Sequence, residues 1–113
     1  MKQLILILSL TFGLTTAAQA GFFNNRVDWK SLPYTVKEAY AVGLHDGFVI
    51  HSEGDSGNMK RWKTDFSRCS ADMPLNIPTL VELIDNYYLD TSNWKQPPVV
   101  ALTQAMDKVC DIN

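Results

Sequence analysis

The cysteine pair Cys69 and Cys110 constrains the fold of this 113-residue chain more than any other feature of its sequence. The two stand forty-one positions apart, without the close second cysteine or histidine that zinc ligands have, so a metal site is not expected. In an oxidising compartment, two cysteines favour one intramolecular disulfide over a link between two chains. On the chain-entropy model, closing a loop of about forty residues stabilises a fold by roughly 3 to 4 kcal/mol. The sequence therefore predicts a small domain held by one disulfide.

The N-terminal residues 1–20 are typical of a secretory signal peptide, which would deliver the cysteines to such a compartment. They have a basic start at Lys2, an apolar run over 4–14 and a small-residue ending that closes at Ala20. The apolar run is too short to span a membrane. We expect cleavage after Ala20 to leave residues 21–113 as one helical domain in the periplasm, without membrane insertion.

The charge of the expected mature chain makes some partners less favourable. Removing Lys2 from the ten Lys and Arg residues leaves nine against twelve Asp and Glu, a net charge of about −3. This balance argues against nucleic acid or an anionic membrane surface as the partner. No cofactor is expected either, because no phosphate-cradling glycine loop and no HExxH pattern occurs in the sequence.

The segment Tyr34–Ser52 predicts the first long helix. Apolar and glycine residues recur there at steps of three and four, which puts them on one helix face: Val36, Tyr40, Gly43, Gly47 and Ile50. Each glycine costs about 1 kcal/mol of helix propensity relative to alanine, so two glycines four apart suit a close approach by another element. We interpret Tyr40, Gly43 and Gly47 as a packing notch, with contact to a ligand as the alternative. The helix is expected to begin at Pro33, capped by Ser31.

A short basic helix is predicted next, over Asn58–Ser67, because Met59, Trp62 and Phe66 recur at steps of three and four. The stretch Cys69–Pro78 contains two prolines and predicts an extended connection. The predicted extended stretch therefore connects this short helix to the last third of the chain.

Two longer helices are predicted in the last third of the chain. A capping box at 79–82 opens one of them, and the proline pair at 97–98 opens the other, which carries Cys110 on its buried face. The leader Gly21–Lys30 has no clear period and is expected to be irregular, with Trp29 packed on the first helix. The predicted fold class is all-α, a small single-domain helical bundle of three longer helices and one short helix with one disulfide.

The two histidines are expected to be structural or surface residues. His45 precedes Asp46 in sequence, but neighbours on a helix point about 100° apart, which weakens an acid–base pairing. His51, with Glu53 nearby, stands six residues further on and does not share a face with His45 for metal binding. No serine motif of the nucleophile-elbow kind occurs. An enzyme is therefore the weaker hypothesis, and no catalytic residue is assigned.

The segment Ser52–Lys63, which runs from the end of the first long helix into the second helix, is the leading candidate for partner binding. It combines an acidic turn, which lacks the ligand spacing of an EF-hand, with a basic run and an aromatic anchor: Glu53, Asp55, Lys60, Arg61 and Trp62. The alternative is an ordinary solvated face. Trp94, in the turn Asp90–Lys95, is the second candidate, and it could instead cap the core.

One group of residues resembles a known family. Tyr40, Gly43, Asp46 and Gly47 form a pattern similar to the Y-x-x-G-x-x-D-G helix of periplasmic immunity proteins of the Rap/Tai kind, which protect bacteria against type VI-secreted amidase toxins. Cys69 ahead of a proline, the helix from Thr79 and a last helix ending in Cys110 resemble that family's closing half. The resemblance covers roughly residues 29–112 and implies a helical inhibitor that blocks a toxin by protein–protein binding.

Three functions from different classes remain open on these grounds. The first is an immunity-type protein, a monomer or homodimer, that binds a secreted peptidoglycan amidase. The second is an envelope binding or chaperone-like module with the same fold and another partner. The third is a small enzyme, for which loss of turnover on changing His45 would be the evidence.

Overall fold

The computed structural model describes residues 23–112, and every regular element in that range is helical. In chain order these elements are α1 (Arg26–Lys30), α2 (Tyr34–Val49), α3 (Gly57–Asp72), α4 (Ile77–Tyr87), a turn of 3-10 helix (Thr91–Asn93) and α5 (Pro98–Cys110). The predicted all-α fold class and the Cys69–Cys110 disulfide are confirmed. The predicted signal peptide, residues 1–20, lies outside the described residues.

The ends of the helices differ from the sequence-based expectation in three places. α2 ends at Val49, three residues before the predicted end. Its N-cap is Pro33, which offers no side-chain acceptor, while the Ser31 hydroxyl donates instead to the Asp28 carbonyl at the end of α1. The capping box predicted at 79–82 is wrong, because Asn76 caps α4 and its side-chain oxygen accepts the backbone N–H of Thr79.

The helix predicted as short and basic is as long as α2, with 16 residues each. α3 begins after Ser56, whose hydroxyl accepts the backbone N–H of Met59, and it continues through Cys69 to Asp72. The extended connection predicted from Cys69 is therefore wrong over its first residues. The disulfide joins the end of α3 to the end of α5, with the two Cα atoms 5.8 Å apart.

The core lies where α2, α3, α4 and α5 meet. Its buried apolar side chains come from every helix: Trp29, Ala41, Phe66, Leu80, Val81, Ile84, Tyr88, Ala101, Leu102 and Met106. Burial of one such Leu, Ile, Phe or Met side chain contributes about 1.5 to 3 kcal/mol. The apolar faces of α4 and α5 supply most of these residues, so these two helices form the centre on which α2 and α3 pack.

The leader predicted to be irregular forms the short helix α1, capped by the Asn25 side chain. Trp29 is fully buried and packs beside Tyr40 of α2, with 6.0 Å between the ring centroids, as predicted. Its indole Nε1 donates to Asp85 Oδ1 on α4 at 2.7 Å. This bond satisfies the one polar atom of the ring and fixes α1 across both helices.

Candidate protein-binding surface

The outer face of α2, which is turned away from the core, is largely apolar, with Thr35 and Asp46 as its exposed polar residues. The residues that contact the core lie on the opposite face, with Ala41 fully buried and Leu44 and Phe48 packed against the core. The exposed face carries small or apolar residues over four turns: Val36, Ala39, Gly43, Gly47 and, just past the helix end, Ile50. The Ile50 side chain, for example, is 61% exposed. A helix with apolar residues on both sides is suited to contact on both sides, and residues 23–112 cover only one of them.

The predicted packing notch is wrong, because its glycines face outward. A Cβ atom added to Gly43 or Gly47 would meet no other atom within 4 Å. Tyr40 alone of the three notch residues is half-buried, against Trp29 and Phe23. The helix-propensity cost of two glycines, about 1 kcal/mol each, is therefore not offset by close packing inside the molecule. The alternative interpretation, contact with another molecule, accounts for the glycines better.

A shallow groove of about 360 Å³ runs beside the two glycines, between α2 and α3. Leu44 and Phe48 of α2 and Met59 of α3 supply its apolar lining, and Asp55 and Lys63 supply its polar lining. Its largely apolar lining and its volume suit a single aliphatic or aromatic side chain of a partner. Since no Cβ stands on the glycine side, the partner's backbone could approach α2 closely there.

The linker between α2 and α3 is fixed by a buried lysine. Lys63 is only 8% exposed, and its ammonium donates to the Ile50 carbonyl and to Asp55 Oδ2, at 2.8 Å each. Asp55 Oδ2 also accepts the backbone N–H of Ser52 at 2.9 Å. A buried ammonium needs such partners, because an unpaired one would be costly to desolvate. Asp55 was expected to contact a partner from a flexible turn, whereas it is engaged inside the molecule.

The Lys63–Asp55 pair makes the stability of the linker depend on pH, and the pKa of Asp55 determines the direction of the dependence. The Lys63 ammonium, with help from the Ser52 N–H, holds the pKa of the Asp55 carboxyl below its usual value. A carboxyl group whose pKa is lowered by folding stabilises the protein at pH values above its pKa in the unfolded chain, which is about 3.9. The stabilisation is lost as the pH falls through the pKa of the folded state. We therefore expect Asp55→Asn to lower the melting temperature at pH 7 and to match the parent protein near pH 2.

Melting curves of both proteins between pH 7 and pH 2 make the comparison. Asp65→Asn is the matched control, because Asp65 pairs with Arg68 at 3.8 Å on the surface of α3 and should change stability little at any pH. If the melting temperature of Asp55→Asn stayed below that of the parent protein by the same amount down to pH 2, the effect could not be assigned to the charged pair.

Trp62 does not lie free on the surface as expected for the leading epitope. Its ring packs between helices, 5.3 Å from Phe48 of α2 and 5.0 Å from Phe66 of α3, measured between centroids. Its indole Nε1 donates to Asp107 Oδ1 of α5 at 2.6 Å. Trp62 therefore joins three helices, and its prediction as an exposed anchor is corrected. The other members of that epitope, Glu53, Lys60 and Arg61, are exposed.

Trp94, the second candidate, is held in place and still accessible. It is 43% exposed, its Nε1 donates to the Tyr88 carbonyl at 3.0 Å, and the Arg26 guanidinium lies 4.3 Å from its ring centroid. A stacked guanidinium of this kind contributes about 0.5 to 1 kcal/mol at an exposed site. The exposed ring agrees with the first sequence-based alternative, whereas Trp94 is not among the apolar side chains that pack against the core, as the second would require.

The two histidines lie apart, His45 on α2 and His51 in the linker, and His45 contacts its neighbour Asp46, a pairing that helix geometry was expected to weaken. His45 Nδ1 lies 3.3 Å from Asp46 Oδ1, in an exposed contact between sequence neighbours, and its ring packs 5.4 Å from that of Phe66. His51 is exposed in the linker, as is Glu53. Within residues 23–112, no group of three or more His, Cys, Asp or Glu side chains is arranged to hold a metal ion.

Among the helices that the structure describes, none is long and apolar enough to cross a membrane. Comparison with protein-family models, curated proteins and solved structures gave no significant match to this chain.

The groove residues Leu44, Phe48 and Met59 were not predicted as site residues. The available signal was the even distribution of apolar residues around α2, which gives the helix no single apolar face. Only the position of α3 shows which of these residues border an open groove and which are covered by the core.

Proposed function

We propose that this protein is a non-catalytic periplasmic binding protein that neutralises a secreted peptidoglycan amidase, and that the outer face of α2 with its adjoining groove contacts the toxin. The observation that carries the proposal is the position of the motif behind the family resemblance. Three of its four residues, Gly43, Asp46 and Gly47, are exposed. Residues needed only for folding would be expected to face the core, whereas residues that bind a partner face outward.

Three physical features of this surface support binding to a protein. The outer face of α2 offers apolar contact area, the glycines permit close approach of a partner backbone, and the groove accepts an anchoring side chain. The linker beside it is held by the Lys63 contacts. A preorganised surface loses less conformational entropy when a partner binds.

The test adds bulk at the open glycines. Because nothing lies within 4 Å of the added Cβ, Gly47→Leu should leave the free energy of unfolding unchanged or raise it by up to about 1 kcal/mol through helix propensity. It should weaken binding to the amidase by at least about tenfold, because the leucine occupies the space that the partner needs. Isothermal titration measures the affinity, and release of peptide from peptidoglycan measures inhibition.

Ala71→Leu is the matched control, because Ala71 is also exposed on a helix but lies on α3 outside the groove. It should leave affinity and inhibition unchanged. Equal affinity of the parent, Gly43→Leu and Gly47→Leu would remove this surface from the proposal. Failure of the parent protein to inhibit any secreted amidase of the same bacterium would refute the proposed function itself.

The second candidate is an envelope chaperone-like module. Its supporting observation is that the outer face of α2 is apolar along several turns, which would also suit extended apolar segments of unfolded proteins. The two functions differ in specificity. Binding to many unrelated unfolded proteins, at similar affinity and without amidase inhibition, would favour the chaperone-like module.

A further inference from the structure

A second cleft, of about 430 Å³, lies between α4 and α5 and shares no lining residue with the α2 surface. Its size is within the range of about 300 to 1,000 Å³ that small-molecule sites occupy. Aliphatic side chains form part of its wall, and polar side chains of both helices border it; those used below are Leu83, Tyr87, Asp90, Gln104, Lys108 and Val109.

The apolar part of the cleft is accessible to a ligand. Val109 is 48% exposed although it belongs to α5, whose other face carries core residues. Leu83 of α4 lines the same cleft. One polar contact crosses it, from the Tyr87 hydroxyl to Gln104 Oε1 at 2.8 Å, which leaves the Gln104 amino group free to donate within the described part of the chain.

The charged side chains of the cleft, Asp90 and Lys108, can still form hydrogen bonds or ion pairs with a ligand. Asp90 Oδ1 accepts the backbone N–H and the hydroxyl of Ser92, at 2.9 and 2.7 Å, while Oδ2 has no partner among residues 23–112. These bonds also lower the pKa of Asp90, which keeps it ionised. Across the same residues, no carboxylate lies within 4.0 Å of the Lys108 ammonium. The cleft therefore presents one negative and one positive group.

This combination selects among ligand classes. A simple anion would be repelled by the Asp90 carboxylate, and a simple cation would be repelled by the Lys108 ammonium. A purely apolar molecule would remove water from both charged groups without pairing either of them. A molecule with one ammonium, one carboxylate, an amide and an aliphatic side chain would pair all of the groups. We propose that the α4–α5 cleft binds a short zwitterionic peptide, of about two to three residues by volume, through Asp90, Gln104 and Lys108 with its side chain on Leu83 and Val109.

The experiment is a nuclear magnetic resonance titration of the full protein with a pool of aliphatic dipeptides, in both L and D forms. Saturable shifts are expected for amides of α4 and α5. The same peptides with an acetylated N-terminus and an amidated C-terminus should bind at least about tenfold more weakly, because both charged contacts are lost.

Two conservative variants test the charged groups. Asp90→Asn keeps an oxygen for Ser92, so the turn before α5 should survive while peptide affinity falls at least about tenfold. Lys108→Gln should cause a similar loss, and Lys60→Gln, an exposed helix lysine outside the cleft, should cause none. Absence of saturable shifts across the whole pool would overturn the proposal, as would equal binding of free and blocked peptides.

Discussion

Replacing Trp62 by alanine should lower the free energy of unfolding by about 2 to 4 kcal/mol, the range for loss of a large, partly buried core side chain. The loss has two sources. The indole ring packs on Phe48 and Phe66, so its removal opens a cavity between α2 and α3. Its Nε1 donor to Asp107 is lost as well, which leaves a half-buried carboxylate without that partner. For a domain of this size, the melting temperature should fall by about 10 °C or more.

Urea unfolding followed by circular dichroism measures the effect, and two variants separate its sources. Trp62→Phe loses the donor and part of the ring volume but keeps an aromatic ring in the contact, so a deficit of about 1 to 2 kcal/mol, smaller than that of Trp62→Ala, is expected. Trp94→Ala is the control for a partly exposed tryptophan and should cost less than Trp62→Ala, because its ring is 43% exposed. A Trp62→Ala protein as stable as the parent would show that the interhelical contacts contribute little.

Breaking the disulfide should cost about 3 to 4 kcal/mol, the second large effect. The bond closes a loop spanning forty-one positions and joins the ends of α3 and α5. Without it, the unfolded chain gains the conformational freedom that the loop had removed. Cys110→Ser should therefore melt well below the parent, and peptide mapping without reductant should find the Cys69–Cys110 peptide in the parent only.

The double variant provides the internal check. Because both cysteines serve one bond, Cys69→Ser combined with Cys110→Ser should be about as unstable as either single variant, instead of showing the sum of the two losses. A reducing agent should destabilise the parent and leave the variants unchanged. Two free thiols in the parent protein isolated without reductant would refute the bond, and an unchanged stability of Cys110→Ser would refute its energetic role.

The sequence predicts the helical class and three of the four long helices because their signals are local, whereas the length of α3 was underestimated. Prolines open α4 and α5, and apolar residues repeat along one face of each. Two cysteines allow only one intramolecular pairing, which an oxidising compartment favours over a link between two chains. The cap of α4 was misassigned because Asn76 and Thr79 are both good capping residues three positions apart, and only the backbone geometry distinguishes them.

The faces of α2 could not be assigned from sequence, and the candidate site depends on them. Gly43 and Gly47 share an apparent apolar face with Val36, while Leu44 and Phe48 form another, so the periodicity supports both. Packing against α3 and α4 determines which face is buried. Trp62 was misplaced for a related reason, because its partner Asp107 lies on a helix that is distant in sequence.

The long sequence separations of the main cross-links have a consequence for the order in which the chain can fold during synthesis. The hydrogen bonds from Trp29 to Asp85 and from Trp62 to Asp107 join residues separated by 56 and 45 positions. The disulfide joins Cys69 to Cys110, which are separated by 41 positions. The N-terminal half therefore emerges before any of these partners exists. Until α3 and α4 are made, both sides of α2 are open to other molecules, and the core that α4 shares with α5 forms only when the last helix is complete. The nascent chain should thus depend on protection from aggregation until its final residues are available.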